Sequence, residues 1–573
     1  MRAVGSRFTD LLRNRPFSFQ MRSRIAGLGA TISSCIGIAS QLIRDPDDER
    51  RTYEEETHVG GCRSFVAAAL VAALGVAPAP ALADPYTVVS AEELQNAIAD
   101  GETEITLGED ITASITVPAG QTLTLNLGGH KLTGAQKWAA ITNNGNLTVT
   151  GEGAVDGSNV SQTAALYNAP GATANLNGGT FTGSKWYVIK NLGTMTIDGA
   201  SVTQFDAGTS AIDNGWYGNT GNDCGLSEPT DAHVSLTINS GSVSNGMNAV
   251  KNDDFGFLTI NGGSFTSTSG PALLNWNVAE VNDGTFSVSE TASSLIANGA
   301  YGNTADQGKL TIKGGNFTSA NDGAGSLFGT GNVNNTGTVD IQAGTFNGSL
   351  ANLGADDGIN LAPAVSSGQF SDSSVAKFVT SGNVTSYKQG KFYVNAADEV
   401  ENLAVATVKV NGQTIYFYNT DDANTFAKEN GKTADDVDRL VYFVDFETNG
   451  HGEFQTAVVK AGEAVGDQMP AVPEVEGYTV SGWYDGDAKV DATFVPTSDV
   501  TLVAMWTKNP AKSDPKTDPK TDPKPADGDK KADAPKKALP QTGDNTNMMV
   551  PVAIAVAGIV VVVAAVALRR RNN

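Results

Sequence analysis

A short apolar segment ending in asparagine recurs seven times along the chain: Ala140-Ile141-Thr142-Asn143, Ala165-Leu166-Tyr167-Asn168, Val188-Ile189-Lys190-Asn191, Ala211-Ile212-Asp213-Asn214, Ala249-Val250-Lys251-Asn252, Ala272-Leu273-Leu274-Asn275 and Leu295-Ile296-Ala297-Asn298. The asparagines are 25, 23, 23, 38, 23 and 23 residues apart, a fixed period with one 15-residue insertion. A period of this length marks a solenoid, in which each repeat buries its apolar face only against its neighbours. Two further segments fill each interval: Leu-Thr-Ile at 236–238, 258–260 and 310–312, then Gly-x-Phe at Gly263-Ser264-Phe265, Gly284-Thr285-Phe286, Gly315-Asn316-Phe317 and Gly344-Thr345-Phe346. Three short strands per repeat make three faces, with alternate side chains turned inward and Gly-Gly or Asn-Gly pairs supplying the corners. Stacked about 4.8 Å apart, equivalent strands join into parallel sheets. The chain is expected to be mainly β: a parallel β-helix with three strands per coil.

The column Asn143, Asn168, Asn191, Asn214, Asn252, Asn275 and Asn298 reads as a structural ladder, because side-chain amides at one bend can hydrogen-bond from coil to coil. A ligand or metal row is the other reading of the same column. The column stops at Gly329-Thr330, so the last coils are expected to be less regular. Ahead of the coils, Ser90-Ala91-Glu92-Glu93 is a capping-box pattern opening a short amphipathic helix to about Ala99, suited to covering the open end of the solenoid.

On these repeats, residues 84–395 resemble the pectin-lyase-like right-handed β-helix superfamily. The resemblance implies the hand of the coil and leaves function open, since that scaffold carries enzymes, adhesins and stalks. Its lyases use an arginine or lysine as base with acidic calcium ligands, and its hydrolases use neighbouring aspartates with a histidine and a basic residue. Between Asp84 and Thr542 the only arginine is Arg439, outside the coils. Up to Ser373 the coils hold seven lysines (Lys131, Lys137, Lys185, Lys190, Lys251, Lys309, Lys313) and two histidines, His130 and His233. His130 reads as an exposed strand residue. Asp253 and Asp254 are adjacent and so face opposite ways on a strand, a poor acid/base pair; they read as solvated corner acids. Lys190 and Lys251 are expected to pair with acids such as Asp213 on an exposed face, where ion pairs contribute little. No catalytic residue is assigned, and no metal or cofactor; calcium at Asp253-Asp254 or Asp356-Asp357 stays open.

Two loops, 214–223 and 298–306, share the pattern Asn-Gly-x-Tyr-Gly-Asn-Thr once Trp216 is allowed for, and leave the ladder corner three coils apart. Their residues Trp216, Tyr217, Asn219, Asp223, Tyr301, Asn303 and Asp306 are the candidate ligand-binding set, because aromatic faces beside amides and carboxylates suit sugars. The alternative is that the aromatics fold back as lids.

Residues 396–440 read as a small α+β unit, with a hairpin around Asn411-Gly412 and a helix-like stretch after Asp421-Asp422. Residues 441–507, with Val444-Asp445-Phe446, Asn449-Gly450, Gly477 to Tyr484 and Val500 to Trp506, resemble the Listeria–Bacteroides repeat of internalin-type surface proteins. That implies a β-grasp-like module with Trp483 and Trp506 in its core. Residues 508–538 are Pro, Lys, Asp and Thr with tandem Asp-Pro-Lys-Thr copies at 514–517 and 518–521, a disordered stalk reaching up to about 90 Å.

Leu539-Pro540-Gln541-Thr542-Gly543, an apolar stretch 548–568 and Arg569-Arg570-Arg571 follow in that order. As a helix the stretch rises roughly 31 Å, enough to span a bilayer core, with arginines holding its end in the cytoplasm. The order resembles the LPxTG sorting signal of Gram-positive surface proteins, within residues 539–573. It implies a sortase as partner, cleavage after Thr542, and a covalent link from Thr542 to peptidoglycan.

At the amino end, Arg63, the apolar run 65–74 and Ala81-Leu82-Ala83 have the layout of a secretory signal, so residues 1–83 read as a leader and 1–58 as a start assigned too far upstream. Of three cysteines, only Cys224 lies beyond that leader, which leaves no disulfide framework. A net charge of −24 argues against nucleic-acid partners. The expectation is a secreted, cell-wall-anchored, adhesin-like protein that binds host or microbial glycans or proteins. A wall-anchored polysaccharide lyase or hydrolase, or a passive spacer, is the alternative.

Overall fold

A computed structural model describes residues 86–216, 234–290, 292, 294–299, 308–320, 326–329, 337–351, 353 and 362–510. The leader 1–83, the stalk beyond 510, the sorting signal 539–573, Tyr217, Asn219, Asp223, His233, Tyr301, Asn303, Asp306 and Asp356-Asp357 lie outside these residues. Among the described residues, no helix is long and apolar enough to cross a membrane.

The described chain is mainly β, in long parallel sheets. Nine strands from Ile115–Val117 to Phe328–Gly329 form one all-parallel sheet, each bonded to its counterpart one repeat away. The register brings Ile141, Leu166, Ile189, Ile212, Val250, Leu273, Ile296 and Phe328 onto one line of buried side chains. The seven asparagines share the parallel line two residues on. The 15-residue insertion does not disturb it, since Ile212 still pairs with Val250 and Asn214 with Asn252.

The larger sheet contains two more parallel ladders. One aligns Leu123, Leu147, Ala174, Met195, Leu236, Leu258, Ala279, Leu310 and Val339. The other aligns Val155, Phe181, Val202, Val243, Phe265, Phe286, Phe317, Phe346 and Phe370. Its last five rings stack with centroids 4.7 to 4.8 Å apart and planes within 14° of parallel. The Gly-x-Phe pattern has a steric cause. Gly284, Gly315, Gly344 and Gly368 have φ between +105° and +136°, and a Cβ on any of them would meet the phenylalanine two residues on at 3.0 to 3.2 Å.

The asparagine column is fully buried and hydrogen-bonded along its length. Each Nδ2 from Asn143 to Asn275 donates to the Oδ1 of the next asparagine at 2.7 to 2.8 Å. Its second hydrogen reaches a carbonyl of a neighbouring turn: Thr173, Thr194, Ser235, Phe257, Val278 or Lys309.

Both ends of the stack are covered. The helix Ala91–Asp100 starts with the Ser90 hydroxyl accepting from the Glu93 N–H, while the Glu93 carboxylate accepts from the Val89 N–H, and it buries Leu94, Ala97 and Ile98. At the other end Lys391–Ala396 runs antiparallel to Gly368–Phe370 and stops the parallel run. The hairpin Ala406–Val410 with Gln413–Phe417 follows, turned at Asn411 and Gly412 with φ of +50° and +79°. The helix Thr420–Glu429 sets Phe426 against Phe417, Phe392 and Tyr387. These side chains share the core of the coils, so no break in packing marks residue 396.

Val444, Phe446, Ala457, Val459, Val465, Trp483, Leu502 and Ala504 form a separate core in residues 441–506. The five strands of this region, numbered along the chain, lie in the order second, first, fifth, third, fourth, with the first and fifth parallel. The Trp483 and Trp506 indoles donate to the Pro470 and Pro473 carbonyls. Glu476–Thr479 and Thr507–Pro510 belong to a second, small unit, in which the Asn509 N–H donates to the Gly477 carbonyl.

Phe317→Ala is expected to cost about 3 to 5 kcal/mol by removing the middle ring of the stack. Phe205→Ala, at a residue 63% exposed, should change stability by less than about 0.5 kcal/mol. Denaturant unfolding of the two variants measures the contrast.

Candidate functional site

Between each inward aliphatic residue and its asparagine lies one side chain turned to the outer side of the nine-stranded sheet. Register aligns Thr142, Tyr167, Lys190, Asp213, Lys251, Leu274 and Ala297 in that column. The expectation of exposed ion pairs here is corrected: Lys190 and Asp213 are 0% exposed, and Lys251 is 6% exposed. The Lys190 ammonium bonds the Asp213 Oδ2. Lys251 Nζ lies 3.7 Å from the Asp213 Oδ1 and 2.5 Å from the Asp253 Oδ2. Aromatic rings border both amines, Tyr187 at 5.2 Å from Lys190 and Trp276 at 4.2 Å from Lys251, a spacing suited to cation–π attraction.

Asp253 and Asp254 are buried as well, which corrects the solvated-corner reading. Beyond Asn252 the chain turns through Phe255 at φ +65° rather than running on into solvent. Asp253 Oδ1 accepts from the Asp254 N–H, and the Asp254 carbonyl accepts from the Trp216 N–H at 2.8 Å. Trp216 is thereby fully buried. Its indole is closed off from solvent and does not offer the exposed stacking face expected of it. Burial is the main force on Asp253, raising its pKa to about 7; Lys251 opposes it and Asp213 adds to it.

The other singled-out residues lie apart. His130 Nδ1 is 3.6 Å from Asp110, and Lys131 is 3.9 Å from Asp156, both at the surface. Among the described residues, no group of three or more His, Cys, Asp or Glu is placed to hold a metal ion.

An aromatic cluster that the loop-based reading overlooked lies at the corner just before the nine-stranded sheet. Trp138 and Thr163 are register partners, and Trp186 stands at the same distance, five residues, ahead of its ladder asparagine. Because Thr163 is small, the two indoles meet across it, centroids 6.0 Å apart at 72°, and Tyr187 adjoins Trp186 at 5.4 Å. Trp138 is 49% exposed and carries φ of +85°, a strained conformation for a bulky residue. The Trp186 carbonyl is pinned by Gln204 Nε2 at 2.6 Å and Thr209 Oγ1 at 3.2 Å. Exposed lysines, Lys137 and Lys185, immediately precede the two tryptophans, and Phe205 and Met247 extend the apolar corner over later turns. The legible signal was the Lys-Trp dipeptide repeated at one position of the period.

Residues 442–505 match the family model of the Listeria-Bacteroides repeat domain. No curated protein and no solved structure matches the chain.

The sign of the Asp253 shift gives a test. A carboxyl whose folded pKa is raised from 3.8 to about 7 contributes stability that is greatest at low pH and is lost as pH rises through about 7. The melting temperature of the wild type minus that of Asp253→Asn should therefore fall between pH 5 and pH 8, as followed by circular dichroism.

Proposed function

We propose that this chain is a wall-anchored, adhesin-like surface protein in which a right-handed parallel β-helix holds an aromatic corner rigidly toward glycans. The observation that carries this reading is the Trp138–Trp186–Tyr187 cluster, with Trp138 exposed and Trp186 and Tyr187 half-buried, on a stack of register-locked strands. Indole faces offer large apolar area at little entropic cost, and the flanking Lys137 and Lys185 supply donors to hydroxyl or acidic groups of a sugar. Support for the β-helix comes from three parallel ladders that each gain one strand per repeat. The strand order and the parallel pairing of the first and fifth strands of residues 441–506 support the β-grasp-like reading of the matched module.

The anchoring part of the proposal rests on the sequence of residues 539–573: LPQTG, the apolar stretch and the arginines. A sortase would join Thr542 to peptidoglycan, and the proline-rich stalk would carry the folded part outward. Tyr217, Asn219, Asp223, Tyr301, Asn303 and Asp306 remain proposed partners in binding, whereas buried Trp216 does not offer a stacking face. The enzyme alternative finds less support, since Asp213, Asp253 and Asp254 are closed off from solvent and Lys190 and Lys251 are bound to two of them.

The test is a glycan and mucin array probed with the full-length protein and with Trp138→Ala/Trp186→Ala. Binding by the wild type that falls at least about tenfold in the double variant supports the corner as the site. Equal binding by both proteins moves the site elsewhere, and no binding by the wild type removes the glycan reading.

A further inference from the structure

We propose that Lys190 and Asp213 become joined by an amide bond between the lysine Nζ and the aspartate Cγ, forming a covalent rung between successive turns of the nine-stranded sheet. The two residues are register partners on adjacent parallel strands, and the amine and carboxylate are in direct contact. Both side chains are wholly shut off from solvent. In water an ammonium and a carboxylate stay apart as ions because each is strongly hydrated. Inside this sheet that hydration is gone, and keeping two ions dry is costly before their attraction is counted. Condensation removes both charges and releases one water, so burial shifts the balance toward the amide.

The surrounding groups suit the step. Lys190 passes one proton to the Asp213 Oδ2 along their shared hydrogen bond, leaving a neutral amine and a carboxylic acid. The nitrogen lone pair attacks Cγ, and negative charge develops on Oδ1. Lys251 Nζ, 3.7 Å from that oxygen, is the only ammonium besides Lys190 that faces the aspartate among the described residues, and it stabilises the oxyanion. Nζ then gives a second proton to Oδ2, the Cγ–Oδ2 bond breaks, and water leaves; Oδ1 becomes the amide oxygen and one hydrogen stays on nitrogen. Atoms and charge balance with no other reactant. Asp253, 2.5 Å from Lys251, positions that ammonium. Asp253 is itself fully buried, so little solvent reaches the cluster.

The test is peptide mass spectrometry on the unfolded and trypsin-digested full-length protein. The expected product is one linked pair of peptides containing Lys190 and Asp213, lighter than their sum by one water, with Lys190 resistant to trypsin. Lys190→Met should lack it. Lys251→Met, which keeps the reacting pair, should form the link at least about tenfold more slowly, with folding checked by circular dichroism. Complete recovery of the two separate peptides from folded wild type overturns the bond, and so does a link that runs through Lys251 instead. An unchanged rate in a folded Lys251→Met protein overturns the oxyanion role.

Discussion

Everything in the large unit depends on one constraint: each strand must sit in register with the same strand one repeat away. A slip of a single residue would turn every inward side chain outward, exchanging the line of Ile189, Ile212 and Val250 for that of Lys190, Asp213 and Lys251. Two kinds of like-on-like contact fix the register. The asparagine amides each donate to the next amide and to a main-chain carbonyl, so a shift would leave buried polar groups unpaired. The phenylalanine rings from Phe265 to Phe370 stack face to face at the strand spacing, and the preceding glycines leave room for them.

That rigid stack lets the outer side of the sheet do something a surface rarely does. Lys190 and Lys251, each one register step from Asp213, are held beside it while aromatic rings stand near, and with Asp253 they make a dry cluster of opposite charges. Buried ion pairs are weak evidence of stabilisation, because desolvation offsets their attraction. Their persistence here points to specificity or to chemistry. The same rigidity at the next corner sets Trp138 and Trp186 across Thr163 without support from a flexible loop, which favours a preorganised binding face.

Much of the strand pattern is legible from period alone. Alternation tells which way Ile189 and Lys190 point, and Asn411-Gly412 marks a tight turn by its need for positive φ. What alternation cannot give is burial. Lys190, Asp213 and Asp253 cluster on the outer side of the sheet and are covered all the same, and Trp216, whose main-chain N–H bonds the Asp254 carbonyl, is buried too. Trp216 itself reads as a ligand residue for the same reason: a tryptophan beside Gly and Tyr reads alike whether its indole is exposed or buried. The Lys137-Trp138 and Lys185-Trp186 corner was overlooked because the two aromatics are 48 residues apart in sequence and meet only through the register. Residues 396–440 read as separate by composition, yet Phe417 and Phe426 complete the core of the coils.

The most direct measurement of the central claim is hydrogen–deuterium exchange on the full-length protein, resolved to the strands of the nine-stranded sheet. If matched register is what holds the stack, amides of Leu166–Asn168, Ile189–Asn191, Ile212–Asn214, Val250–Asn252 and Leu273–Asn275 should exchange together, as the slowest group in the chain. Fast exchange at Ile212–Asn214 or Val250–Asn252, between slow neighbours on either side, would show that the ladder is broken at the insertion, and would contradict the account.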